Sequence, residues 1–203
     1  MAALRNTIFP FLTFPAELRN SIYRHLLVGG QESNAPRYAQ ILRTCKQINR
    51  EATDILYAEN VVRIFVSSDD VLVYKLPLFS TDIPLQRIET LVIHFRSRSQ
   101  IWNFLAMEPI EIRANVLALC RHWPRHYALK KLTIVIGWKV QVKFCPHYYF
   151  TTYVDPEEET SILSPFSLLR NLKSVSIDSS IPPDVCQKFM DVMHGKNEWE
   201  ETV

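Results

Sequence analysis

The spacing of apolar positions changes partway along the chain. From about residue 10 to 60 they recur every three or four residues, as on one side of a helix. From about residue 61 short alternating runs take over, as on strands with one face on a core. Phe14-Pro15-Ala16-Glu17 reads as a helix start, because proline's missing N–H has no partner in a first turn and Glu17 meets the positive end of the helix dipole. Leu18, Ile22 and Leu26 follow at intervals of four on one helical face, and Gly29-Gly30 is the expected stop. Pro36 opens a second, longer helix of about five turns whose seam is Ile41, Cys45, Ile48, Ala52 and Ile55. Arg43, Lys46, Arg50 and Glu51 take its other side. The first helix and this seam are expected to pack as a helical hairpin.

Val61 to Val66 is β-branched and aromatic and reads as a strand, and Ser67-Ser68-Asp69-Asp70 reads as the N-cap of a short helix through Leu76. A phrase then recurs. Ile88, Leu91 and Ile93 are matched by Leu129, Leu132 and Ile134, and again by Leu172, Val175 and Ile177, with phase advances of 41 and then 43 residues. Helices are expected at Ile101 to Leu105, at Pro109 to His122 with Ile112, Val116 and Leu119 inward, and at Pro183 to Met193 with Val185, Phe189 and Val192 inward. Strand and helix alternating at this interval predict right-handed crossovers and a parallel sheet. Lys139 to Phe144 alternates as in a hairpin or strand extension, whereas Tyr148 to Glu159 reads as a long excursion ending in the solvated run Glu157-Glu158-Glu159. The fold class expected is α/β. Residues 10–60 form a helical hairpin module, and 61–203 a short, irregular, leucine-rich-repeat-like βα array with a mainly parallel sheet.

Composition narrows the function. The chain has 203 residues, of which 47% are hydrophobic, enough for a core without disulfides or a structural metal. Its net charge of +2 supplies no extended basic field, so no nucleic-acid partner is expected. Only 4 glycines occur, and phosphate cradles and nucleophile elbows need them. No apolar run reaches membrane-spanning length, and Met1 to Ala16 lacks the pattern of a secretory leader. Cys45, Cys120, Cys145 and Cys186 are widely spaced, as in a reduced intracellular protein, cytoplasmic or nuclear.

Candidate chemistry is sparse. Cys120, His122 and His126, with Cys145 and His147, carry ligand types that suit zinc, but at spacings of no standard module. The alternative is a helix end with a buried cysteine and surface histidines. No nucleophile–base constellation is recognisable, so no enzyme activity, cofactor or metal is expected. Trp138, Tyr148, Tyr149 and Phe150 are candidate partner-binding aromatics, since such rings bring large contact area to an interface; packing on the sheet is the competing role.

Phe14 to Leu27 resembles the opening of an F-box, which begins Leu-Pro-x-Glu; Phe14 stands at the leucine. Ile41 to Ala52 resembles the later F-box helix. With Ile55-Leu56-Tyr57-Ala58-Glu59-Asn60 the phrase is similar to a set of fungal F-box-like proteins. The resemblance implies a non-enzymatic substrate receptor that docks on the Skp-type adaptor of a cullin–RING ubiquitin ligase and raises the local concentration of a target protein. Its implied adaptor contacts are Phe14, Pro15, Leu18, Ile22 and Leu26, with Ile41 and Cys45 behind them. A second reading uses the same helices as the cap of the repeat array, in a scaffold that recruits no ligase. A small metal-binding protein or hydrolase is the distant alternative.

Overall fold

The computed structural model describes residues 10–29, 39–73, 76–95, 109–124, 126–136, 140–145, 148–152, 156–179 and 181–196. The chain divides into two compact units, Met1–Asn60 and Val61–Val203.

The first unit is helical. A 3-10 turn at Phe11–Thr13 precedes α1, Ala16–Leu27. A second 3-10 turn, Ala39–Arg43, precedes α2, Lys46–Ala58. The long second helix expected from the seam is therefore broken. Cys45 sits extended at φ −157° as the N-cap of α2, where its Sγ accepts the Ile48 N–H at 3.5 Å. A side-chain acceptor at that place satisfies one of the orphan donors of the first turn. Pro36 lies outside the described residues. The expected hairpin is also corrected. Arg19 pairs with Glu51, Arg24 with Glu59, and the Leu27 carbonyl with Asn60, so contacts climb both helices together and α1 and α2 run in the same sense. Nor does a glycine stop α1. The chain leaves through an extended Val28, φ −82° and ψ 111°, and the Gly29 N–H donates to Asn60 Oδ1 at 2.9 Å.

The second unit is mixed α/β. Its sheet contains β1 (Val61–Val66), β2 (Val71–Val73), β3 (Leu76–Pro77), β4 (Thr90–Phe95), β5 (Lys131–Val135) and β8 (Ser174–Asp178), in the order β3-β2-β1-β4-β5-β8. The strands β1, β4, β5 and β8 are mutually parallel. The recurring phrases fall in register. Val62, Leu91, Leu132 and Val175 form one rung, and Ile64, Ile93, Ile134 and Ile177 the next but one. Both rungs lie on one face because side chains alternate along a strand. The lead residues Ile88, Leu129 and Leu172 are buried too. Hydrogen bonds repeat with the phrase. The N–H groups of Lys130 and Lys131 both donate to the Glu89 carbonyl, and those of Lys173 and Ser174 to the Lys130 carbonyl.

The helices are α3 (Pro109–His122), α4 (Pro156–Leu163) and α5 (Pro183–Met193). Ile112, Val116 and Leu119 of α3, and Phe189 and Val192 of α5, are buried as expected, while Val185 is half-buried. Ile101 to Leu105 lies outside the described residues.

Two expectations in this unit fail. Ser67 to Asp70 is a turn rather than a helix start. The Ser67 N–H donates to the Asp70 carbonyl at 2.9 Å, and the chain returns antiparallel as β2, with Val71 and Val73 buried. Asn115 of α3 ties the turn down by donating to the carbonyls of Ser67 and Ser68, each at 2.9 Å. The stretch expected to open an excursion at Tyr148 is instead β7 (Tyr148–Thr152), which pairs antiparallel with β6 (Val140–Cys145), the strand expected at Lys139 to Phe144, in a separate two-stranded sheet. The acidic run belongs to α4, where Glu157 is exposed but Glu159 is fully buried.

Candidate interaction surface of the helical unit

Pro15 opens α1 as its N-cap, and its carbonyl accepts N–H bonds from Leu18 at 3.1 Å and Arg19 at 3.2 Å. From that start two apolar flanks run down the helix. One carries Tyr23 and Leu27, both fully buried with Ile48, Ala52, Ile55 and Leu56 of α2 in the core of the unit. The other carries Pro15, Leu18 and Ile22, all exposed, with Leu18 at 55% and Ile22 at 37% of full accessibility. The face expected from Leu18, Ile22 and Leu26 therefore does not make the helix–helix contact. Leu26 alone of the three packs partly on the core, as do Ile41, Leu42 and Cys45. Phe14 is half-buried and meets Phe11 edge-on at 6.3 Å, and Phe11 in turn meets Tyr23 at 5.7 Å. Of the seven positions implied to touch an adaptor, three thus face solvent and four lean inward.

A polar network locks this arrangement. Arg19 grips Glu51 with both arms of its guanidinium, Nε to Oε2 at 3.0 Å and Nη2 to Oε1 at 2.7 Å. Its Nη1 donates to the carbonyls of Leu12 and Phe14, binding the first turn to the helix pair. Glu51 also accepts from Tyr23 Oη at 3.1 Å and Gln47 Nε2 at 2.9 Å. Hydrogen bonds from Arg19 and then Gln47 hold the Glu51 carboxyl down at about 2. Burial, followed by the bond to Glu51, raises the Tyr23 phenol. Reasoning from the sequence put Glu51 on the polar side of α2. Its place three residues after Ile48 and four before Ile55 was the available signal that it borders the seam.

The candidate aromatics are placed in part. Tyr148, Tyr149 and Phe150 stand in β7 opposite Cys145, Lys143 and Val142, while Trp138 lies outside the described residues. The cysteine–histidine set splits up. Cys120 is buried, which pushes its thiol up to about 12. His122 is exposed and stands edge-on to Phe79 at 5.5 Å; His126 is exposed; His147 lies outside the described residues. Among the described residues no three His, Cys, Asp or Glu side chains are grouped to hold a metal ion, and no helix is long and apolar enough to cross a membrane.

No protein-family model, curated protein or solved structure matches the chain significantly.

Proposed function

We propose that the chain is a non-enzymatic, F-box-like protein-interaction module. In this reading Pro15, Leu18 and Ile22 offer a docking strip to a Skp-type adaptor, and the leucine-rich-repeat-like second unit holds a target protein for ubiquitination. The observation that carries the reading is the double flank of α1. Tyr23 and Leu27 anchor the helix in its own core, which leaves an aligned apolar strip facing solvent on a unit whose sequence resembles an F-box. Exposed apolar residues in a row at helical spacing are what a partner's groove engages.

The test is co-purification of the intact chain with a Skp-type adaptor, alongside Leu18→Asp/Ile22→Asp. Both side chains lie outside the core, so the variant is expected to fold and to lose the adaptor. Failure of the intact chain to retain the adaptor removes the ligase reading. What then stands is a scaffold of the same fold that recruits no ligase, a reading favoured by the inward lean of Phe14, Leu26, Ile41 and Cys45.

A further inference from the structure

At the start of α2, Arg43 of the preceding 3-10 turn and Lys46 and Arg50 of the helix are three cations with no partner among the described residues. Arg43, Lys46 and Arg50 are all exposed, and none makes an ion pair or side-chain hydrogen bond with the described residues. Arg19 and Arg24, the described arginines of α1, are each tied to a glutamate. Lys46 and Arg50, four residues apart, share one side of α2, and Arg43 reaches the same groove as Lys46 from the turn before the helix. Arg43 and Lys46 flank an open groove of about 350 Å³ whose other walls are Leu42, Cys45 and Asn49. The groove has a built shape. Asn49 donates to the Leu42 carbonyl at 2.9 Å, pinning the 3-10 turn to α2, and Leu42 and Cys45 pack partly on the core below. Its opening is therefore cationic and its floor partly apolar.

We propose that this groove docks a short acidic segment of a partner protein, with carboxylates on Arg43 and Lys46, a further one on Arg50 one turn beyond the groove, and an apolar side chain over Leu42 and Cys45. Charge selects the occupant. Cations without a partner among the described residues, beside a partly apolar floor, complement a peptide that carries both kinds of side chain. A nucleic acid would need a longer basic track. The chain's net charge is +2, and Asp54 follows Arg50 by one helical turn, so the positive field stays local. The groove uses residues other than Pro15, Leu18 and Ile22, so the proposal does not depend on adaptor docking.

The experiment titrates the full chain into a fluorescein-labelled peptide, Glu-Glu-Leu-Asp-Glu-Leu, and follows anisotropy. The same-length Lys-Lys-Leu-Lys-Lys-Leu peptide and a single-stranded RNA hexamer run in parallel. Saturable binding of the acidic peptide is expected, weakening as salt rises. Arg43→Glu/Lys46→Glu should weaken it about tenfold or more, and Arg43→Lys/Lys46→Arg should retain it. A readout on the unaltered chain guards against a variant that fails to fold: the bound peptide should slow iodoacetamide alkylation of Cys45, read by mass spectrometry. Absence of saturable acidic-peptide binding overturns the proposal. So does binding that survives charge reversal in a folded variant, unchanged alkylation of Cys45 at saturation, or tighter binding of the RNA than of the peptide.

Discussion

Arg19 and Glu51 meet across α1 and α2 in a two-armed pair, 2.7 Å and 3.0 Å, although 31 residues separate them in the chain. Because Arg19 also holds the carbonyls of Leu12 and Phe14, one side chain joins the opening turn, the first helix and the second. The carboxylate, held at about 2 against an ordinary 4.5, makes that joint pH-dependent. A carboxyl whose folded value is lowered stabilises the fold fully above its unfolded value, and the contribution fades as pH falls from about 4.5 towards 2. The protection factors of the α1 and α2 amides, each exchange rate taken against the intrinsic rate at the same pH, should therefore fall across that acid window in the native chain. Glu51→Gln, which keeps a hydrogen-bonding head but not the charge, should exchange faster at pH 7 and show a flatter pH response. Equal acid responses of the two proteins would contradict this role.

The two flanks of α1 predict opposite costs for the same substitution. Leu27 is fully buried, so Leu27→Ala should lose about 2–5 kcal/mol in a cavity left in the helical core. Leu18 is 55% exposed, so Leu18→Ala should stay within about 0.5 kcal/mol. Urea unfolding followed by far-ultraviolet circular dichroism measures both. Comparable losses would mean that the strip offered to a partner is in fact part of the core.

These flanks also show what was legible in the sequence. Leu18, Ile22 and Leu26 keep perfect helical spacing, yet Tyr23 and Leu27 keep it as well on the adjoining side. The choice went to the side where the Tyr23 ring fills the core while its hydroxyl reaches Glu51. Spacing within one helix cannot reveal an acceptor on another. Ser67 to Asp70 is ambiguous for a related reason: serine and aspartate suit helix caps and turns alike, and Val71 and Val73 decide for the turn by burying their side chains in the sheet. The parallel sheet was legible because three phrases repeat both their apolar residues and their offsets, and one register aligns all of them. Arg43, Lys46 and Arg50 are visible in the sequence as a polar side. The groove between Arg43 and Lys46 is not, since it depends on the break at Cys45.

Position in the ladder should set the cost of truncating an otherwise identical isoleucine. Ile93 stands on β4 between β1 and β5 and is fully buried, whereas Ile177 stands half-buried on β8, at one end of the sheet. Ile93→Ala should cost about 2–5 kcal/mol, and Ile177→Ala less than half as much. Equal costs in urea unfolding would show that β8 is covered by more than the described residues.

Cysteine reactivity should report the same architecture chemically. The attacking species in alkylation is the thiolate, and burial holds the Cys120 thiol at about 12 against an ordinary 9.0. Cys186 is buried as well, with its Sγ 3.8 Å from the Ile181 carbonyl. Cys45 is half-buried beside an open groove. Under native conditions at pH 8, iodoacetamide should therefore label Cys45 well before Cys120 or Cys186, and urea should equalise the three. The raised thiol has a second consequence, of the opposite sign to that of Glu51. The unfolded chain ionises Cys120 near pH 9 while the folded chain keeps it neutral, so its contribution to stability is intact below about pH 9 and is lost as pH rises towards 12. Cys120→Ala should flatten the alkaline side of the stability curve while costing some packing. A Cys120 that alkylates as fast as Cys45 in the native chain would place the end of α3 in contact with water.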